Sequence, residues 1–363
     1  MTDDTPSAIP RALLERTAGL PAFRAPPRTA EVRLHLNEPS FPPSPRVVEV
    51  LRAAGNLLGR YPDGGGTLLR EALASRLGVA PECIVLGAGS DELIGLSVAA
   101  FVAPGAGCVV PVPSFPRYRT CALFQGAIPL ECPVGADGAL DVEAMVAASR
   151  GAALIFAATP NNPTGGLLDR PRLEHLVSGV ADDGLLVLDE AYSEFGRVAG
   201  GPDGLEVLQG RKGPWLLLRT FSKAYGLAGL RVGYAIASDP GLAEALNRAR
   251  GMFNVSALAQ AAALAAWEDA GYARTQIEKA VASREALRAA LSRLGIECLP
   301  SAANFLAAKL AVPAAQAMPL LAAEGIFVSG VGGPPFERHI RITVGTDADH
   351  ARLLAALERL PRA

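Results

Sequence analysis

Of the 34 basic residues in this 363-residue chain only four are lysines, Lys212, Lys223, Lys279 and Lys309. Lys223 lies in Leu218-Arg-Thr-Phe-Ser-Lys-Ala-Tyr-Gly226, just past the apolar run Trp215–Leu218. A lysine set among small and apolar residues loses solvation; its pKa falls and a neutral amine becomes available as a nucleophile. The other three stand in a polar Arg-Lys-Gly turn, on a charged helical stretch and at the end of an apolar run. Taken singly, Lys223 also reads as an ordinary lysine at a strand end, so its neighbours decide the matter.

Three other apolar runs end in residues able to do chemistry. Val187-Leu-Asp-Glu-Ala-Tyr192 puts an acid at the end of a buried stretch. Such a carboxylate can ligate a metal, cap a helix, or face a cofactor's protonated ring nitrogen. In Thr159-Pro-Asn-Asn-Pro-Thr-Gly165 the prolines and asparagines build a rigid turn that aims side-chain amides in fixed directions. Leu86-Gly-Ala-Gly-Ser-Asp91 opens a helix, where glycines let the backbone approach a ligand and free N–H groups attract a phosphate. Ser222 and Arg231 flank Lys223 and add a hydroxyl and a guanidinium to such a phosphate site. A phosphate cradle, an amide turn, a buried acid and an amine together are what pyridoxal 5′-phosphate requires.

These residues need a scaffold that gathers strand ends. Apolar runs at Cys83–Leu86, Cys108–Val112, Ala153–Ala157, Leu185–Leu188, Trp215–Leu218 and Val232–Ile236 are too short for helices and are bounded by Gly, Pro or Asp. Amphipathic stretches such as Asp141–Ser149 and Pro171–Val180 lie between them. This alternation predicts an α/β fold with a mostly parallel sheet sandwiched by helices, which binds ligands at the carboxyl ends of its strands. Beyond Asp239 the pattern changes to long helices, Ser256–Trp267 and Gly271–Leu294. Short strands near Phe305–Ala308, Ile326–Val328 and His339–Thr343 and a helix over Asp347–Leu360 follow, so a smaller α+β C-terminal domain is expected. The expected division is a Pro-rich arm over 1–30, a large cofactor-binding domain over 31–245 and a small domain over 246–363. The first residues of the large domain are free to pack with the small one.

Composition excludes several classes. With 36 acids the net charge is −2, too little positive field for nucleic acid or an anionic membrane surface. Half the residues are apolar, enough for a large core. Five scattered cysteines without a C-x-x-C pair fit a reduced compartment, and four histidines without ligand spacing give no support to a metal site. The acidic start Met-Thr-Asp-Asp is unlike a signal peptide, and prolines and glycines interrupt the uncharged stretch Leu93–Pro116, so a cytoplasmic protein without a membrane span is expected.

The segments LNEPSFPPSP, RYPDGGG, GAGSDE, ATPNNPTGG, LDEAYSEF, LRTFSKAYGLAGLRVGY and IRITVGT run in order from about residue 34 to 346. Together they resemble the fold-type I pyridoxal-phosphate aminotransferases, most of all the histidinol-phosphate aminotransferases. The resemblance implies that Lys223 bonds the cofactor and shuttles the α-proton, that Asp189 pairs with the ring nitrogen, and that Asn162 and Tyr192 hold the ring oxygen. It gives the cofactor phosphate to Gly89, Ser90, Ser222 and Arg231, with Asp91 beside them, and stacks Phe115 on the ring. Tyr61 would reach the phosphate of a neighbouring subunit, implying a homodimer with shared sites. Arg341 would fork onto the substrate carboxylate, with Asn37 and Phe23 also at the substrate.

The resemblance further implies transfer of an amino group between a small-molecule donor and a 2-oxo acid, 2-oxoglutarate, in histidine biosynthesis. Three departures concern the substrate. Ser329 stands near the place of a second arginine directed at the substrate phosphate, the usual N-E-N-P-Y reads Asn37-Glu-Pro-Ser-Phe41, and Phe23 replaces a frequent tyrosine. A histidinol-phosphate enzyme with these departures would need to recruit another cation, for which Arg24 or Arg28 of the arm are the candidates. The alternatives are an aminotransferase for an aromatic or other amino acid and a phosphothreonine-type decarboxylase. A cofactor-binding DNA regulator of the same fold would need a helix-turn-helix module, which the Pro-rich arm does not supply.

Overall fold

The structure, a computed structural model, describes Leu20 and residues 31–361. Phe23, Arg24 and Arg28, and with them the expected arm apart from Leu20, lie outside the described residues. Thirteen strands are present among the described residues: β1 (Val32–Arg33), β2 (Ile84–Gly87), β3 (Gly107–Val112), β4 (Ile128–Pro133), β5 (Ala152–Ala158), β6 (Leu185–Asp189), β7 (Trp215–Thr220), β8 (Gly233–Ala237), β9 (Glu297–Cys298), β10 (Phe305–Lys309), β11 (Ile326–Phe327), β12 (Ser329–Gly330) and β13 (His339–Thr343).

Seven of them form the main sheet in the order β2-β8-β7-β6-β5-β3-β4, with β8 antiparallel to both neighbours and the remaining pairs parallel. Six match the apolar runs of the sequence to within two residues at each end. The seventh, β4, carries Pro129 and Pro133 and few apolar residues; as an edge strand it can forgo donors that an interior strand needs. Each interior strand sends alternate residues to opposite faces. In β5, Ile155 and Ala157 join one buried cluster while Leu154, Phe156 and Ala158 join the other. Leu186 and Leu188 against Leu185 and Val187 repeat the division in β6. Helices cover both faces, so strands without polar alternation are stable here.

The C-terminal part holds an antiparallel sheet, β12-β13-β10-β9, and the parallel pair β1-β11. The expected strand Ile326–Val328 is one residue shorter, with Ile326 and Phe327 paired to Val32 and Arg33, and the next two residues past Val328, Ser329 and Gly330, pair with Arg341 and Ile340. Val32 and Leu34 pack with Leu306, Ile340 and Leu353, so the chain passes from this core into the cavity at His35. The alanine-rich helix Ala257–Glu268 packs its buried face with Val47, Leu69 and Leu73 beside the main sheet. The helix Ala270–Arg293 spans two clusters, with Ile277 and Ala280 beside Tyr192 and Phe305, and Leu287 and Leu291 in the C-terminal core.

Candidate active site

The carboxyl ends of β5, β6 and β7, the start of the helix Ser90–Phe101 and the middle of β13 at Arg341 meet around a cavity of about 240 Å³. Eleven of the residues singled out in the sequence line it: Asn37, Ser90, Asp91, Phe115, Asn162, Asp189, Tyr192, Ser222, Lys223, Arg231 and Arg341. Tyr61 is apart from them, 83% exposed and stacked on Phe253 with ring centroids 4.7 Å apart.

Asp189 ends β6 with its carboxylate buried. The Tyr118 hydroxyl donates to one oxygen at 2.7 Å and the Ala191 N–H to the other at 3.0 Å. The acid thus closes a short local turn on Ala191 but caps no helix, the N-cap of the next one being Tyr192, and it also faces the cavity. No cation pairs with it among the described residues, and burial raises its pKa to about 6 against the pull of those two hydrogen bonds. A buried carboxylate left without a counter-charge is a site for a cationic group.

Lys223 follows β7 and donates to the carbonyl oxygens of Asn37 at 3.0 Å and Leu36 at 3.3 Å. Burial, then the guanidiniums of Arg341 and Arg231, lower its pKa from 10.5 to about 7. Near neutral pH a substantial fraction of the amine is therefore unprotonated, as a nucleophile requires.

At the phosphate end, Gly89 precedes the helix Ser90–Phe101 with φ +79° and no side-chain cap, leaving first-turn N–H groups open to a ligand. Arg231 donates to the Ser222 hydroxyl at 3.3 Å, and Thr220 links to the same hydroxyl at 3.0 Å. A Cβ on Gly89 would stand 2.5 Å from Arg231 Nη2, so only glycine lets guanidinium and helix start come together. Asp91 lines the cavity but pairs with Arg117 at 2.8 Å.

At the opposite end, Arg341 Nη1 donates to Asn162 Oδ1 at 2.6 Å, and Nη2 donates to the Ser329 hydroxyl at 3.2 Å and to the His35 carbonyl. Its Nε is buried without a partner among the described residues. Asn162, expected beside the ring oxygen, lines the cavity and accepts from this guanidinium through its Oδ1. Asn37, expected at the substrate, has both amide atoms engaged: Nδ2 donates to the Tyr192 oxygen at 2.8 Å and Oδ1 accepts from Thr343 at 3.1 Å. Its φ of +53° turns its carbonyl toward Lys223 and Asn304.

The Aminotransferase class I and II family profile matches residues 29–357. The chain belongs to this family. It is 39% identical to histidinol-phosphate aminotransferase 2 of Carboxydothermus hydrogenoformans over 90% of each chain. To the enzyme of that name from Methylococcus capsulatus it is 39% identical over 91% of this chain and 90% of the other. The crystal structure of histidinol-phosphate aminotransferase from Sinorhizobium meliloti in complex with pyridoxal 5′-phosphate superposes with a TM-score of 0.85 at 34% identity, covering 91% of this chain and 90% of that one.

The residues of this aminotransferase fit that cofactor on their own terms. Asp189 lacks a counter-charge, Lys223 offers a neutral amine, and Gly89, Ser222 and Arg231 form a cradle that a Cβ would fill. The protein is a pyridoxal-phosphate-dependent aminotransferase of fold type I. Tyr118 and His35 are among the cavity residues that the sequence reading did not single out. Tyr118, which holds Asp189 and stacks on Phe156, is the second residue of the helix Arg117–Gln125 and meets Phe115, just before that helix, edge-on with ring centroids 5.9 Å apart. His35 had no signal beyond its place two residues before Asn37.

Proposed function

We propose that this aminotransferase moves an amino group between histidinol phosphate and 2-oxoglutarate, serving histidine biosynthesis in the cytoplasm as a homodimer. The observation that carries the reading is one cavity in which the Lys223 amine lies between a buried, unpaired carboxylate and a guanidinium with a free donor. When bound, pyridoxal 5′-phosphate supplies the sink for the electron pair left on the substrate's α-carbon.

The protein's residues do the rest. Asp189, oriented by Tyr118 and Ala191, holds the proton on the ring nitrogen, because a buried carboxylate strongly favours a cation beside it. Asn162 and Tyr192, which line the cavity, would hold the ring oxygen, and Phe115 would provide an aromatic face for the ring. Gly89, Ser90, Ser222 and Arg231 receive the phosphate, with Tyr61 of a second subunit completing it. Lys223 Nζ, poised near pH 7, takes the proton from the α-carbon and returns it to the other side of the transferred nitrogen. Arg341 holds the substrate's anionic end.

A second reading, an aminotransferase for an aromatic or other amino acid, has its own support. Ser329, near the place of the second arginine, donates to the His35 carbonyl and receives a bond from Arg341, so this position itself brings no second guanidinium. Turnover of histidinol phosphate and of phenylalanine, each against 2-oxoglutarate, separates the two. Faster turnover of histidinol phosphate is expected; turnover of phenylalanine alone moves the assignment, and failure of both rejects both. Carbon dioxide released from phosphothreonine would identify a decarboxylase instead.

A further inference from the structure

His35 is a polar side chain in the cavity wall that the reading above leaves without a task. Its ring packs against Phe327 at 5.8 Å, and both ring nitrogens are buried with no hydrogen-bond partner among the described residues. An imidazole always presents at least one donor, and leaving buried polar atoms unpaired is unfavourable. The backbone around this ring is well satisfied, because the His35 carbonyl accepts from both Arg341 Nη2 and Ser329 Oγ. The unpaired ring and the unpaired Arg341 Nε therefore belong to neighbouring residues tied by a hydrogen bond, at the end of the cavity away from the phosphate cradle. We propose that His35 is a specificity-determining residue that, with Arg341, binds the anionic end of the substrate, a carboxylate or a phosphate monoester, and gains a proton as that anion arrives. This rests on the reading of Arg341 as the binding group for that end.

The electrostatics set the direction. Without an anion the ring's pKa lies below 6.5, chiefly because of burial, with Arg33 and Arg341 acting in the same sense and Glu38 against them. Arg33 and Glu38 form an ion pair with each other at 3.1 Å, which cancels much of their field at the ring. The Lys223 amine lies across the same cavity, while Ser329, on the facing strand, brings no charge. An anion on Arg341 neutralises the guanidinium and offers an acceptor to the ring, so protonation becomes favourable. The bound state then holds more protons than the free state, and anion affinity rises as pH falls.

The test uses the cofactor-loaded enzyme with two unreactive probes, glutarate for a carboxylate end and methyl phosphate for a phosphate end. Binding is measured by calorimetry at pH 6.5 and 8.5 in wild type, His35→Phe, His35→Gln and Arg341→Ala. His35→Phe is expected to weaken at least one probe about tenfold at pH 6.5 and to flatten its pH dependence, while His35→Gln, which keeps hydrogen bonding without charge, recovers part of the affinity at both pH values. Nitrogen-15 spectra of the four histidines give a direct readout: the ring signal lost in His35→Phe should move toward the protonated form when the probe is added to wild type. The proposal is overturned if His35→Phe binds both probes as wild type does, or if that signal does not move on saturation. Normal binding by Arg341→Ala would instead remove the reading of Arg341. Which probe responds reports whether the end group is a carboxylate or a phosphate.

Discussion

Asp189 shows how the same side chain weakens one state of the protein and strengthens another. Its carboxyl titrates near 6 in the folded protein against about 3.8 in an unfolded chain, so between those values the folded state binds the extra proton. The stability this provides is complete below about pH 4 and is lost as pH rises through 6, a loss of about 3 kcal/mol by linkage. Cofactor-free Asp189→Asn is therefore expected to melt higher than cofactor-free wild type at pH 8, and the two should converge toward pH 4. The order should reverse for cofactor affinity, because the neutral amide cannot hold a protonated ring nitrogen. A melting series across pH, paired with a cofactor titration, checks both halves. Lys223 and Asp189 were legible in the sequence because each follows an apolar run. Tyr118, by contrast, looked like an ordinary aromatic, since its bond to Asp189 crosses 71 residues.

At the scale of elements, strands were easiest to read where both faces are buried, because an uninterrupted apolar run has few other uses. The edge strand β4 and the two-residue strands β1, β9 and β12 lack that pattern; they exist through pairing with other strands. Ion pairs joining elements were equally hidden. Arg219 of β7 donates twice to Glu190 at the end of β6 and once to Asp203, burying a charged pair just behind Asp189 that no local pattern announces. The turn from β2 into the helix Ser90–Phe101 has a sharper consequence. Because a Cβ on Gly89 would press on Arg231 and the residue sits at positive φ, Gly89→Ala should keep the fold while weakening cofactor phosphate binding by at least tenfold. Equal cofactor affinity in a spectroscopic titration would show that this cradle is not the phosphate site.

For the whole molecule, an α/β sheet with its site at the strand ends was legible from strand–helix alternation. How the C-terminal elements pack was not. The helix Ala257–Glu268 packs beside the main sheet, although the sequence changes character before it, since alanine runs record close approach without saying to what. No helix among the described residues is long and apolar enough to cross a membrane. Tyr61, Phe253 and Met252 form an exposed aromatic and apolar group, with Tyr61 83% and Met252 88% exposed. In the proposed homodimer this face meets the partner, so Tyr61→Phe should leave a dimer by sedimentation yet loosen the cofactor; unchanged affinity would argue against a shared site. The most direct test of the central claim is to load the enzyme with pyridoxal 5′-phosphate, reduce it with borohydride to fix the cofactor covalently, and map the modified peptide. The structure predicts modification of Lys223 alone among the four lysines. Modification of Lys212, Lys279 or Lys309 in its place, or of none, would contradict it.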